Sequence, residues 1–368
     1  MIPNNSSIKP LRVLMMPDYR IINPYQELLS KSLEPQGANV IFPFGYRRIF
    51  PIFRAIKNSK HIDILHLHWL TPYLKGENIL IKLVYGIKLL IDIMLVKSAN
   101  VKIVWTIHNH VSHDSQFPRL EKNIQKIIFK VADKIIFHSF SALSEFSEIY
   151  HINEQKAAVI PIGNYRNIYS ELIDPLSARQ ALGIPQSGHV YLNLGMLRPY
   201  KGIEKLLKIW GENKEFHQGC TLLIAGKPLD EVYGSKLTEQ ANSIEGVFIH
   251  PYFIEDSEIH LFFSAADVVV LPFEKILTSA SIILAMSYNK PIIAPRTKSI
   301  AETLGTADWL LYEDKDDQGL LKALKKSTEI DLSNLSDLVK HECDKFNWDD
   351  MGLKTYHVYD AVLKNSQN

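Results

Sequence analysis

Short apolar runs recur along the chain, separated by longer amphipathic stretches. In the first half the runs are RVLMM (12–16), NVIFPF (39–44), DILHLHW (63–69), KIVWTIH (102–108), KIIFHS (134–139) and AAVIPIG (157–163). Runs that are continuously apolar suit strands covered on both faces. The helix-length stretches between them, such as PYQELLSKSLEPQG, predict right-handed crossovers and a parallel sheet. The pattern restarts at VYLNLG (190–195), passes through a helix over GIEKLLKIWGE, and continues with TLLIAG (221–226), VFIHPY (247–252), DVVVLPF (267–273) and PIIAP (291–295). Between the two series, the polar, turn-rich GNYRNIYSELIDP reads as a linker. The expectation is an α/β chain of two Rossmann-like, doubly wound domains, 1–168 and 169–345, facing a central cleft. A last helix over 346–368 is expected to return to the first domain. Ligands in such folds bind at the C-terminal ends of strands, so both domains would offer loops to the cleft.

Composition adds a class and a compartment. A chain of 368 residues exceeds one ordinary core, and 46% hydrophobic with 22% charged residues describes a globular protein, not a disordered or fibrous one. The two cysteines, Cys220 and Cys343, form no CxxC, and the start MIPNNSSIKPLRVLMM lacks the charged-then-apolar order of a secretory leader. A reducing, cytoplasmic setting is expected. The net charge of +1 hides an asymmetry, because residues 1–165 carry +8 and residues 166–368 carry −7. A basic half joined to an acidic half suggests two surfaces with different partners, an anionic membrane or nucleic acid being open for the basic one.

Candidate chemistry gathers after the first strand of the second series. In GMLRPYKG (195–202), Gly195 permits a tight turn, while Arg198 and Lys201 bring two cations to a helix start. Arg can grip two oxygens and Lys adds a point charge, a pairing that suits a diphosphate. The order is neither a Walker loop nor a dinucleotide GxGxxG. Further on, LTSAS enters a helix that stops near Asn289, and such a junction offers unpaired N–H groups and the positive end of the helix dipole to an anion. Thr278, Ser279 and Ser281 add hydroxyls there.

Taken in order, GMLRPYKGIEKLL, LLIAGKP, ADVVVLPF, TSASIILAMSYNKPIIAP and IAE (300–302) resemble the C-terminal domain of GT-B glycosyltransferases, especially the family-four (glycosyl transferases group 1) clan. WTIHNHVSHD and VIPIGNYRNIY look like N-terminal motifs of its bacterial polysaccharide-assembly members. The resemblance implies a GT-B fold, a nucleotide-diphosphate-sugar donor (UDP- or GDP-linked) and hexosyl transfer without a separate cofactor. It implies diphosphate contacts for Arg198 and Lys201, and a nucleotide base near Tyr252 and Phe253, whose alternative is a place in the core. One departure stands out. Retaining members carry two glutamates separated by seven intervening residues, and alignment on LAM puts these positions at Ile276 and Leu284. Glu274 is out of register with both. Diphosphate binding survives this change, whereas the sugar contacts of those glutamates do not carry over.

The first half is rich in histidine. His66 and His68 lie on one face of a strand, with strand-end packing as the plain alternative. HNHVSHD places His108, His110, His113 and Asp114 after a strand, at its C-terminal end. No HExxH or CxxC spacing supports a metal site, and none is assigned. His108 resembles the histidine that relatives place near the donor sugar, while Asp114 with His113 is the candidate general base. Inversion is favoured over retention on the loss of the paired glutamates.

The stretch 78–97 is long and apolar, but Lys82, Lys88 and Asp92 argue against a membrane span. On a helical wheel these charges share one half of the circumference with Tyr85 and Lys97, and Leu80, Leu83, Val84, Ile87, Leu90, Ile91 and Met94 occupy the other. An interfacial helix and a core helix both fit. YRRIFPIFRAIK (46–57) mixes arginine with phenylalanine, as an anionic headgroup layer favours. No RNA-binding motif accompanies it, so nucleic acid is not expected as a partner. The expected protein is therefore a peripheral enzyme on an anionic inner-membrane surface, moving a sugar onto a lipid-linked glycan in surface polysaccharide synthesis. The rivals are a sugar-nucleotide epimerase or hydrolase of the same fold, and a non-catalytic sugar-nucleotide-binding protein.

Overall fold

The computed structural model describes residues 10–21, 23–43, 49–109, 116–274, 277 and 279–364. The chain forms two compact units, Met1–Ile162 together with Asn347–Asn368, and Gly163–Phe346. The turn-rich stretch that begins at Gly163 thus belongs to the second unit, and the helix Trp348–Lys364 belongs to the first.

In the first unit the strands are β1 (Leu11–Met16), β2 (Ala38–Ile41), β3 (Ile64–Leu67), β4 (Lys102–Thr106), β5 (Lys134–Phe137) and β6 (Ala157–Val159). They pair in the order β2-β1-β3-β4-β5-β6, all parallel. Progression runs one way from β1 to β2 and the other way from there onward, so the unit is doubly wound. Helix α1 (Tyr25–Leu33) and the helix Trp348–Lys364 cover one face, burying Leu29, Leu33, Met351 and Tyr359 against Val13, Met15, Ile64, Val104 and Ile136. Right-handed crossovers put α2 (Pro51–Asn58), α3 (Ile79–Ser98), α4 (Pro118–Val131) and α5 (Phe140–Tyr150) on the opposite face, with α3 lying between α2 and α4.

The second unit repeats the plan with β7 (Val190–Leu194), β8 (Thr221–Ala225), β9 (Val247–His250), β10 (Val268–Val270), β11 (Ile292–Pro295) and β12 (Leu311–Tyr312). Their order is β12-β11-β10-β7-β8-β9, again all parallel. The direction of winding reverses between β7 and β10, which makes the carboxyl ends of these two strands the topological switch point. The expected α/β class of two doubly wound, Rossmann-like units is what the structure holds.

Helix α3 is not turned as a core helix would be. Its charged half points inward, with Lys82 and Asp92 buried beside Gly86, Leu89, Ile93 and Val96. Each charge has a specific partner there. Lys82 forms an ion pair with buried Glu121 on α4, and Asp92 accepts from the first amides of α2, Ile52 N at 3.0 Å and Phe53 N at 2.8 Å. Burial raises the Asp92 carboxyl pKa while those amides pull it down. The apolar half is left on the outside. Among the described residues no helix is long and apolar enough to cross a membrane.

Candidate functional site

The switch point of the second unit is built from two loops that touch. One follows β7 and runs from Gly195 to Gly202; the other follows β10 and enters the helix Ala280–Ser287. Gly202 takes φ +69°, and a Cβ there would fall 2.0 Å from the carbonyl oxygen of Pro272, so only glycine lets the loops approach. The amide of Glu274 donates to Tyr200 O at 2.9 Å and ties them a second time. The stitch is made by the backbone, and the Glu274 side chain is exposed.

Between the loops stands Lys201. Its side chain is buried, with Nζ 3.5 Å from Ser281 Oγ and 6.0 Å from the centre of the Phe273 ring. Burial, with the neighbouring Arg198 charge in second place, lowers its pKa to about 8. No carboxylate among the described residues pairs with it. Gly195, at φ +132°, lines the same spot, since a Cβ on it would meet Lys201 Nζ at 2.7 Å and Ser281 Oγ at 3.5 Å. Ser279 caps the helix, its Oγ accepting from Ile282 N at 3.3 Å. The amides of Ala280 and Ser281 have no acceptor among the described residues, so a helix N-terminus and a buried cation converge on one point. Chemically, this arrangement fits an oxyanion with more than one negative charge.

Of the residues singled out in the sequence, the structure brings Gly195, Lys201, Ser279 and Ser281 together, with Arg198 close enough to perturb Lys201. Thr278 and Ile276 lie outside the described residues. Leu284 is half-buried on the helix Ala280–Ser287, in the place where retaining relatives carry the second glutamate. Tyr252 and Phe253 are both half-exposed, so neither is a core aromatic. They follow β9, two strands from β7, which is roughly 10 Å across the sheet. There they line an open groove of about 950 Å³ with Pro228, Leu229, Gly234 and Thr238, and Tyr252 OH pairs with His250 Nδ1 at 2.9 Å.

The first unit carries a histidine cluster at the carboxyl ends of β3, β4 and β5. His66 is a structural clamp. Its Nδ1 meets Tyr359 OH at 2.7 Å and its Nε2 meets Thr106 Oγ1 at 2.7 Å, and burial lowers its pKa to about 3. His68 Nδ1 pairs with His108 Nε2 at 3.1 Å, and burial holds both rings well below the usual histidine range. His138 donates from Nδ1 to Ile160 O at 2.9 Å, and burial lowers its pKa to about 4. Among the described residues the buried Nε2 atoms of His68 and His138 have no hydrogen-bond partner. Trp69, at the end of the DILHLHW run, stacks on His108 with ring centres 4.2 Å apart. His108 and His68 line a small cavity of about 40 Å³ with Trp105 and Gln125. These rings are neutral at neutral pH, suited to hydrogen bonding and not to charge. His113 and Asp114 lie outside the described residues. No group of three or more His, Cys, Asp or Glu side chains among the described residues is placed to hold a metal ion.

A cradle of one buried lysine and a helix N-terminus, at the switch point of a doubly wound unit, is the setting in which the comparisons with known proteins become informative. Residues 176–337 match the family model for glycosyl transferases group 1. Over this segment the chain resembles the group 1 glycosyltransferases. The matched segment contains the whole cradle, from Gly195 to Ser281. At 24% identity over 265 residues, 71% of this chain resembles 70% of a GDP-mannose:glycolipid 4-beta-D-mannosyltransferase from Xanthomonas campestris pv. campestris. Among solved structures, Anabaena HepE in complex with UDP and glucose superposes with a TM-score of 0.71 at 16% identity, covering 95% of this chain and 100% of that one. Sucrose-phosphate synthase from Thermosynechococcus elongatus gives 0.70 at 16% identity, covering 97% and 100%. The fold is therefore GT-B.

Proposed function

We propose that the protein transfers a hexose from a UDP- or GDP-linked sugar to a lipid-linked glycan in surface polysaccharide synthesis. The observation that carries this reading is the buried Lys201 beside Arg198, facing Ser281 at the N-terminus of the helix Ala280–Ser287. In the reaction the acceptor hydroxyl oxygen bonds to the anomeric carbon as the bond from that carbon to the diphosphate oxygen breaks. Arg198, Lys201 and the helix N-terminus take up the charge that accumulates on the leaving diphosphate. Because the protein supplies these charges itself, the reading needs no metal or further cofactor. The acceptor proton goes to a base, and we assign Asp114, with His113, to that role in an inverting transfer. His108 is assigned to the donor sugar as a neutral hydrogen-bonding ring. Tyr252 is assigned to the nucleotide base. The lipid-linked acceptor is supported by the glycolipid named for the Xanthomonas relative, and such an acceptor would be met at the cytoplasmic membrane face.

A second reading, a sugar-nucleotide binder without transfer, draws on Leu284 standing in a glutamate's place. One panel separates the two. Melting temperatures are measured with UDP, GDP, CMP and their sugars, and each stabilising sugar nucleotide is then followed for donor breakdown and for transfer to a lipid-linked glycan. Stabilisation with transfer is expected. Stabilisation with neither breakdown nor transfer favours the binder, and a panel in which no nucleotide raises the melting temperature overturns both.

A further inference from the structure

The surface formed by α2, α3 and α4 has an unusual division of groups. Along α3, Leu80, Leu83, Val84, Ile87, Ile91 and Met94 stand outside, each between 42% and 72% exposed. A helix of twenty residues is about 30 Å long, so this stripe is a continuous apolar strip far beyond the scattered apolar residues of an ordinary surface. On either side lie exposed cations, Arg54 and Lys57 on α2 and Arg119, Lys122, Lys126 and Lys130 on α4. The three helices contain only two carboxylates, Asp92 and Glu121, and both are buried. Both are also consumed there, Asp92 by the α2 amides and Glu121 by Lys82. What these helices expose is therefore apolar in the middle and positive at the flanks, without a single compensating carboxylate of their own.

We propose that the α2–α3–α4 face docks on an anionic phospholipid bilayer, with α3 lying in the plane of the membrane. Its exposed side chains enter the boundary between headgroups and acyl chains, while the flanking lysines and arginines meet headgroup phosphates. A second copy of the chain fits this face poorly, because a symmetric contact would bring two positive flanks together. Nucleic acid would satisfy the cations but leave the apolar stripe in water. The choice of lipid also rests on the lipid-linked acceptor proposed above. The inward charges of α3 add a reason for its shape: they anchor the helix to the unit, so that its apolar half remains available.

The test is co-sedimentation of the full chain with vesicles of equal parts phosphatidylglycerol and phosphatidylcholine, and with vesicles of phosphatidylcholine alone. Binding to the first and much weaker binding to the second is expected, diminishing with added salt. The paired variants Leu83→Glu with Ile87→Glu, and Lys122→Glu with Lys126→Glu, should each weaken binding at least about tenfold. All four positions are exposed, so melting temperature and the nucleotide-induced shift should stay as in the unaltered chain. Retention of that shift while vesicle binding is lost separates this proposal from the transfer reaction. The proposal is overturned if the unaltered chain ignores both vesicle types, or if the variants bind as it does. It is equally overturned if sedimentation shows a dimer that Leu83→Glu with Ile87→Glu dissolves, which would make the face a contact between copies.

Discussion

Lys201 Nζ lies 3.5 Å from Ser281 Oγ, across the point where the winding of the second sheet reverses. A hydroxyl is a weak partner for a buried ammonium, and Arg198 repels it. Among the described residues no side chain neutralises this positive charge, as a site prepared for an anion requires.

Replacing the cations should weaken the anion and relax the fold. Arg198→Ala and Lys201→Ala are each expected to reduce UDP or GDP affinity by about 1.5–3 kcal/mol, the scale of hydrogen bonds to charged groups. Lys201→Met should also hold or raise the melting temperature of the free protein, since it removes a poorly compensated buried charge. Isothermal titration and thermal melting measure the two effects. Unchanged affinity in both alanine variants would remove these residues from the site.

Nucleotide affinity should be flat up to about pH 8 and fall above it. Lys201 in the free protein has a pKa of about 8, below the ordinary 10.5, whereas a bound diphosphate favours the charged form and raises it. Above pH 8 the free site loses its proton first, so binding must take one up, and affinity drops by up to about tenfold per pH unit. The sign for folding is opposite. Stability of the free protein rises as pH climbs from about 8 towards 10.5, because the cost of the buried charge is relieved. Titrations of UDP between pH 7 and 9.5, repeated on Lys201→Met, should show the bend only in the unaltered chain.

The first unit should lose stability in mild acid. His66 and His138 have folded pKa values of about 3 and about 4, lowered by burial from 6.5. Between those values and 6.5 the unfolded chain binds the protons, so stability is complete above pH 6.5 and declines as pH falls. Each such group contributes at most about 1.4 kcal/mol per pH unit. His138→Asn keeps a donor for Ile160 O and removes the titrating ring, and should flatten the slope of denaturant stability against pH below 6.5. An unchanged slope would move the acid sensitivity to another group.

The strands were legible because both faces of a parallel sheet are covered, which leaves apolar runs without alternation. Leu311–Tyr312 escaped because two residues carry no pattern. The charge pair Arg198 and Lys201 could be read from its spacing, but the burial of Lys201 could not, since Phe273 and Ser281 arrive on another crossover. The wheel of α3 was legible and its orientation was not. Apolar periodicity usually points to the core, and here Asp92 answers amides 39 and 40 residues away, while Lys82 answers Glu121 on another helix. His66 read as strand-end packing or as chemistry, and its partner Tyr359 stands 293 residues further along the chain.

The helix Trp348–Lys364 contributes Met351, Val358, Tyr359 and Val362 to the core of the first unit. On the ribosome this sets an order of completion. The sheet β1–β6 and α1 emerge first, yet the part of one face that the helix Trp348–Lys364 covers stays open until all of Gly163–Phe346 has been made. The amino-terminal unit is therefore the last to be finished. In the interval it offers Val13, Met15 and Ile64 to whatever apolar surface is nearby, so the nascent chain, more than the finished protein, is where a chaperone would have most to hold.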